Sequence, residues 1–162
     1  MNKKNVLIII TLFMTGVIAG LFFAWTVSVM NGLAKLPDRE FILSMQSMNR
    51  EIQNPVFFLF FFGPVILLPI CTIISFPKSS PGHVGFILAA TIIYILGVLG
   101  VTIIKNVPLN NMLDAFDVAA SAAEQRHAIR CDFEQPWNNW NLVRTFSNLV
   151  AFLLLLIGSF KK

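Results

Sequence analysis

Residues 52–77 read IQNPVFFLFFFGPVILLPICTIISFP, without one Asp, Glu, Lys or Arg. The hydrocarbon core of a bilayer is about 30 Å thick and takes about 20 helical residues to cross. This stretch is long enough to span it and too apolar to be left in water. Two further runs, residues 5–34 and 79–104, are equally free of those four residue types. A fourth, 145–160, is shorter, and it reaches spanning length if its helix begins near Trp140 and tolerates Arg144 at its mouth. The first run begins after Asn2-Lys3-Lys4 but is too long for the apolar segment of a cleaved signal peptide. The expected fold is therefore all-α: an integral membrane four-helix bundle forming a single domain over 1–162, with spans near 6–30, 55–77, 84–104 and 140–160.

Composition points the same way. Charged residues make up 12% and hydrophobic residues 56%, with a mean hydropathy of +0.75; a soluble domain carries roughly 25% charged residues. A disordered chain, a disulfide scaffold and an ordinary soluble enzyme are all excluded. The net charge of +4 does not indicate a nucleic-acid partner, because the 12 basic residues are scattered and form no stripe interleaved with aromatics. Lys3, Lys4, Lys161 and Lys162 instead flank apolar runs, where cations hold helix ends among lipid headgroups. Membrane lipid is the expected partner.

The connections are unequal. Pro77-Lys78-Ser79-Ser80-Pro81-Gly82-His83 makes a tight turn between spans two and three. The other two connections are long and lie together on the opposite face. In residues 35–54, Pro37-Asp38 opens an amphipathic helix with Phe41, Met45, Met48 and Ile52 at helical spacing. A second amphipathic helix is expected within 106–130, with Leu109, Met112, Leu113, Phe116, Ala120 and Ala123 on its apolar side and Pro108 in its first turn. Both termini are placed on the cytoplasmic side of the cell (inner) membrane, because the first span usually dominates orientation and its flank is Lys3-Lys4. Cys71 and Cys131 then belong to opposite faces, too far apart for a disulfide.

Polar residues gather on one face. Asn31, Asn54, Asn106, Asn141 and Arg144 mark span ends there, joined by Asn49, Arg50, Asn110 and Asn111 from the connections. Asn141, Arg144 and Asn148 share one side of the last helix by their i, i+3, i+7 spacing. They suggest a polar vestibule holding a fixed cation. The competing reading is that these amides cap helix ends and tie down loops, since backbone groups at membrane depth must be satisfied.

The same residues carry a resemblance. Asn49-Arg50-Glu51-Ile52-Gln53-Asn54-Pro55, then Asn106-Val107-Pro108-Leu109-Asn110-Asn111, then Trp137-Asn138-Asn139-Trp140-Asn141-Leu142-Val143-Arg144-Thr145, in this order, resemble the anthrone oxygenase-like family of small four-helix membrane proteins. The resemblance implies oxidation of a lipophilic aromatic compound, an anthrone, to its quinone, and carries over Asn49, Arg50, Asn54, Asn106, Pro108, Asn110, Trp140, Asn141 and Arg144, all but Pro108 as candidate substrate-binding positions. It supplies no catalytic base and implies no cofactor.

An oxygenation of this kind needs a base to remove a ring-methylene proton and donors to stabilise the enolate. Arg144 and the amides suit the second role. For the first, Asp114, Asp117 and His127 are available, each equally readable as part of a solvated helix face. No metal site is expected: Glu124-Gln125-Arg126-His127 has the Glu-x-x-His spacing of di-iron bundles, but such sites need two motifs and further carboxylates facing the core. Gly16, Gly20, Ala24 and Ser28 form a small-residue stripe on the first span, read as packing inside the bundle in preference to a homo-oligomer contact. Pro64 and Pro69 should bend the second span. Tyr94 needs a hydroxyl partner, for which Thr11 or Thr15 is proposed. The alternative to an enzyme is a non-enzymatic membrane scaffold or partner-binding protein, and the two differ in one observable. An enzyme needs a pocket joining the Phe-rich interior to the Arg144 cluster.

Overall fold

The computed structural model describes residues 3–76 and 80–161; Lys78, Lys162 and most of the tight turn lie outside them. Among the described residues five helices appear: α1 (Lys3–Leu33), α2 (Asp38–Glu51), α3 (Pro55–Ser75), α4 (Pro81–Asp114) and α5 (Ala123–Phe160). No strand occurs among the described residues. All but α2 are long and apolar enough to cross a membrane. The chain is a multi-pass, all-α membrane protein, as its uncharged runs require.

Helix lengths explain the architecture. At a rise of 1.5 Å per residue, α3 is roughly 32 Å long and matches the hydrocarbon core, whereas α1, α4 and α5 reach roughly 47, 51 and 57 Å. At one rim the ends are level: buried His83, near the start of α4, holds the Gly158 carbonyl through Nδ1 at 2.7 Å and the Ser75 hydroxyl through Nε2 at 3.3 Å. The surplus length therefore projects at the other rim. There α2 packs against α5 and the end of α4 and closes a second apolar core, including Met30, Leu33, Phe41, Ile42, Met45, Leu113, Phe133 and Trp137. The first core, around Ile18, Phe22, Phe61, Leu68, Ile87, Tyr94 and Leu155, lies at membrane depth. Around it the bundle turns Phe13, Leu59, Ile66, Ile73, Leu96 and Phe146 outward, large apolar side chains exposed as on a membrane-spanning bundle.

Three expectations are corrected. Residues 106–130 do not form one interfacial helix. Residues up to Asp114 belong to the end of α4, Ala123 opens α5, and the chain turns between them. Buried Gln46 of α2 accounts for that break: its amide donates to the Leu113 carbonyl at 2.8 Å and the Phe116 carbonyl at 2.9 Å, satisfying the end of α4 from outside the helix. Asp117 then caps the turn, accepting from the Ala119 and Ala120 amides. Secondly, Tyr94 donates neither to Thr11 nor to Thr15 but to the Phe61 carbonyl, at 2.9 Å. The neighbouring Phe60 carbonyl is the one that Pro64 deprives of its helical donor, so tyrosine meets α3 where its backbone is disturbed. Thr11 and Thr15 instead turn back to carbonyls of their own helix. Thirdly, the small-residue stripe does not act as a unit. A Cβ on Gly16 would touch the Phe152 ring at 3.2 Å, whereas one on Gly20 would meet nothing within 4 Å, and Ala24 and Ser28 are also exposed.

Candidate functional site

Where the two cores meet, the spanning helices depart from α geometry. Trp25–Val29 in α1 and Tyr94–Gly100 and Thr102–Asn106 in α4 are π-helical. Such widened turns are rare and concentrate at functional sites. Within them Trp25, Thr26, Thr102 and Asn106 contact α5, which supplies Trp137, Asn141, Arg144 and Asn148 from one side by their i, i+4, i+7, i+11 spacing.

Arg144 is the centre of this arrangement. It is 7% exposed. One terminal nitrogen donates to the Asn141 Oδ1 at 2.8 Å and the other lies 3.4 Å from the Thr102 hydroxyl. Its guanidinium carbon sits 4.5 Å from the Phe22 ring centroid and 5.4 Å from that of Trp137. Asn141 is fixed in turn, donating to the Thr26 hydroxyl at 2.9 Å; Thr26 lies 2.9 Å from the Thr145 hydroxyl. The cation is thus oriented by amides, hydroxyls and aromatic faces, and no carboxylate pairs with it among the described residues. Among the described residues its Nε has no hydrogen-bond partner, and neither do Nδ2 and Oδ1 of Asn148, Nδ2 of Asn49 or Oδ1 of Asn106, all buried. Buried polar groups are almost always paired; two of these atoms, Arg144 Nε and Asn49 Nδ2, belong to residues that line one cavity, which leaves it with unmet polar capacity for a ligand.

A cavity of about 210 Å³ adjoins the cluster. Arg144, Asn141, Asn49, Asn110 and Thr102 supply its polar side, and Phe22, Phe57, Phe61 and Trp137 its aromatic walls. Phe57 and Phe61 stack at 5.3 Å with a 17° angle between planes, giving one flat wall. Trp137 is positioned through its indole nitrogen, which donates to the Asn110 Oδ1 at 2.7 Å. The cavity joins the phenylalanine-rich interior to the cationic cluster.

Of the polar positions singled out in the sequence, Asn49, Asn110, Asn111, Asn141 and Arg144 line this cavity, whereas Asn54, Arg50, Asn106 and Trp140 stand apart. Asn54 caps α3, accepting from the Phe57 amide at 2.9 Å and donating to the Glu51 carbonyl. Arg50 pairs with Asp114 at 2.7 Å on the exposed surface and ties α2 to the end of α4. Asn106 lies behind Trp137, 3.4 Å from its carbonyl. Trp140 is covered by the Lys105 ammonium at 4.9 Å. For these positions the helix-capping and loop-tying role accounts for the contacts. The proposed bases are also elsewhere: Asp114 and Asp117 are engaged as described, and His127 bonds Asp38 at 3.1 Å with Cys131 3.6 Å away. His127 therefore turns from Glu124 toward α2, and no group of three or more His, Cys, Asp or Glu converges among the described residues.

Trp137, Phe22, Trp25, Thr26 and Thr102 belong to the site without having been singled out for it. Trp137 was within reach, since it precedes Asn141 by one helical turn on the same face. Thr26 and Thr102 depend on the π-helical turns, for which the sequence carries no signal we can identify.

Beyond the upper core, Arg130 binds the loop between α1 and α2. It donates to Asp38 at 2.9 Å, Glu134 at 2.7 Å and the Leu36 and Ala34 carbonyls. Partial burial alone would raise the Asp38 pKa, but hydrogen bonds from Arg130 and His127 outweigh it and hold the carboxyl below its ordinary range.

Compared with known proteins, residues 57–154 match the family model described as anthrone oxygenase. No curated protein and no solved structure matches the chain.

Proposed function

The chain belongs to the anthrone oxygenase family, and from that premise we propose that the cavity at Arg144 binds a lipophilic aromatic carbon acid of the anthrone type and supports its oxidation by O2. The observation that carries this reading is a buried guanidinium, free of any carboxylate partner among the described residues, facing an aromatic-walled cavity. Burying an unpaired cation costs several kcal/mol, a cost that an anionic ligand offsets. An anthrone that loses a ring-methylene proton becomes an enolate: a flat, apolar body with one negative oxygen. The stack of Phe57 and Phe61 suits the body and Arg144 the oxygen.

The chemistry balances without a further reductant. Loss of the proton gives the enolate; O2 adds at the deprotonated ring carbon and, with a proton returned, leaves a hydroperoxide. Loss of water from that hydroperoxide breaks the O–O bond and leaves a carbonyl. The methylene and one O2 become a ketone and one water. Arg144, oriented by Asn141, stabilises the enolate oxygen; a preorganised donor of this kind is worth about 2.7–4 kcal/mol in acyl transfer. No carboxylate or imidazole lines the cavity among the described residues, so we assign proton acceptance to water at the rim between Gln53 and Asn111.

A scaffold would need only a filled bundle, and the cavity favours the enzyme reading over it. We place both termini on the cytoplasmic side of the inner membrane, which sets the cavity near the outer rim. The test is oxygen uptake by purified protein in lipid nanodiscs on adding 1,8-dihydroxyanthrone. The proposal expects uptake in proportion to quinone formed and far above protein-free nanodiscs; no difference from those nanodiscs would refute it.

A further inference from the structure

The cavity has two unlike borders. Toward the rim stand Asn49, Gln53, Asn110 and Asn111. Toward the bilayer stand Phe58 and Phe62 of α3 and Ile103 and Val107 of α4. These four are 40%, 43%, 56% and 40% exposed. A side chain that lines a cavity and is also this exposed on a lipid-facing surface stands at an opening.

Helix packing explains why an opening lies there. Helices α3 and α4 are joined at the opposite rim, where Pro81–Ile93 lies close against α3. Contact thins along Tyr94–Gly100 and falls away by Thr102–Asn106. Pro64 and Pro69 lie inside α3 between these levels, where each removes a backbone donor, and α4 turns π-helical over the same stretch. The gap is bordered by Phe58 and Phe62, about one and two turns below the start of α3. This depth is the outer edge of the hydrocarbon, where ring compounds carrying a polar group concentrate, as Trp and Tyr do.

We propose that this gap is a lateral portal through which the cavity takes its ligand directly from the lipid phase. The ligand class is a lipophilic aromatic weak acid. Its carbonyl oxygen, the one that becomes negative in the enolate, travels inward to Arg144, and any apolar substituent remains between the Phe58 and Phe62 pair and the Ile103 and Val107 pair. The portal rests on the proposed function for the nature of the ligand; its position follows from the residues above.

The test is stopped-flow quenching of the cavity tryptophans by 1,8-dihydroxyanthrone delivered in lipid to protein in nanodiscs. The double variant Ile103→Phe, Val107→Phe fills the gap and should slow association about tenfold, a size typical of on-rate differences within one site. Phe58→Ala, Phe62→Ala widens it and should speed association, so the two variants move in opposite directions. Leu96→Phe adds a ring to the lipid-facing side of the same helix away from the cavity and should change nothing. Unaltered association in both portal variants, or slowing by Asn111→Phe at the rim and not by the double variant, would overturn the portal. A wild-type protein showing no saturable quenching would overturn the proposed function, and the portal with it.

Discussion

The Arg144 guanidinium lies over the Phe22 ring at 4.5 Å, and Trp137 flanks it at 5.4 Å. A cation held between two aromatic faces is attracted by both ring quadrupoles, each contributing roughly 0.5–2 kcal/mol depending on desolvation. That attraction and two hydrogen bonds hold the group in place without cancelling its charge. The arrangement preserves the cation for a ligand at some expense to the stability of the empty protein.

Replacement of Arg144 by Met should therefore separate folding from binding. An apolar chain of similar length removes a buried unpaired charge, which is often neutral or stabilising, so the melting temperature in detergent should hold or rise. Affinity for the anthrone should fall about 10- to 100-fold, since a hydrogen bond to a charged group contributes about 1.5–3 kcal/mol. Thermal denaturation and a binding titration on the same preparation check both. Equal loss of stability and binding would assign Arg144 to scaffolding.

Uncharged runs made the four spans legible, because lipid imposes a length and an apolarity that few sequences meet by chance. The amphipathic α2 was legible from Phe41 and Met45. The division at residues 115–122 was not: the apolar residues of 106–130 keep helical spacing across it, and the group that ends α4 is Gln46, distant in sequence. At the site, Asn141 and Arg144 were legible because polar groups at membrane depth need a reason. Asn54 and Arg50 carried the same signal yet serve the scaffold, since a cap and a ligand contact use identical side chains. Thr26 and Thr102 were hidden by helix geometry that a propensity pattern does not encode.

Trp137→Phe should affect the ligand more than the fold. It keeps a ring at the wall but removes the indole donor that Asn110 accepts from at 2.7 Å. One lost neutral hydrogen bond corresponds to about 0.5–1.5 kcal/mol. The expected outcome is a several-fold rise in the dissociation constant with little change in melting temperature. A change in melting temperature alone, with affinity unaltered, would make Trp137 a packing residue.

Gly97 sits where α4 crosses α5. A Cβ there would run into the Ser147 side chain, whose own Cβ would be 2.6 Å away and cannot swing aside. Gly97→Ala should cost about 1–3 kcal/mol, the usual penalty of overpacking, and pairing it with Ser147→Gly should restore most of the loss. Gly85→Ala, with nothing within 4 Å of its added Cβ, serves as the control. Melting in detergent distinguishes the three.

The Asp38 contact with Arg130 predicts an acid-side transition. The Asp38 carboxyl is held below its ordinary value of 3.8 in the folded protein, so the unfolded chain binds the proton more readily. The stabilisation is fully present above that ordinary value and is lost as pH falls through the lowered folded one. Melting temperature should decline below about pH 4, and Asp38→Asn should be less stable at neutral pH with a shallower decline. Parallel acid profiles for the two proteins would remove Asp38 from the account.

The central claim is that Arg144 binds its ligand as an anion, and calorimetry of proton release tests it most directly. Anaerobic titration of wild-type protein with 1,8-dihydroxyanthrone, in buffers of differing ionisation enthalpy below the ligand's own pKa, should show release of about one proton per ligand bound, by linkage. The Arg144→Met protein should bind weakly and release almost none. Binding of equal strength by both proteins, with no proton released by either, would contradict the account.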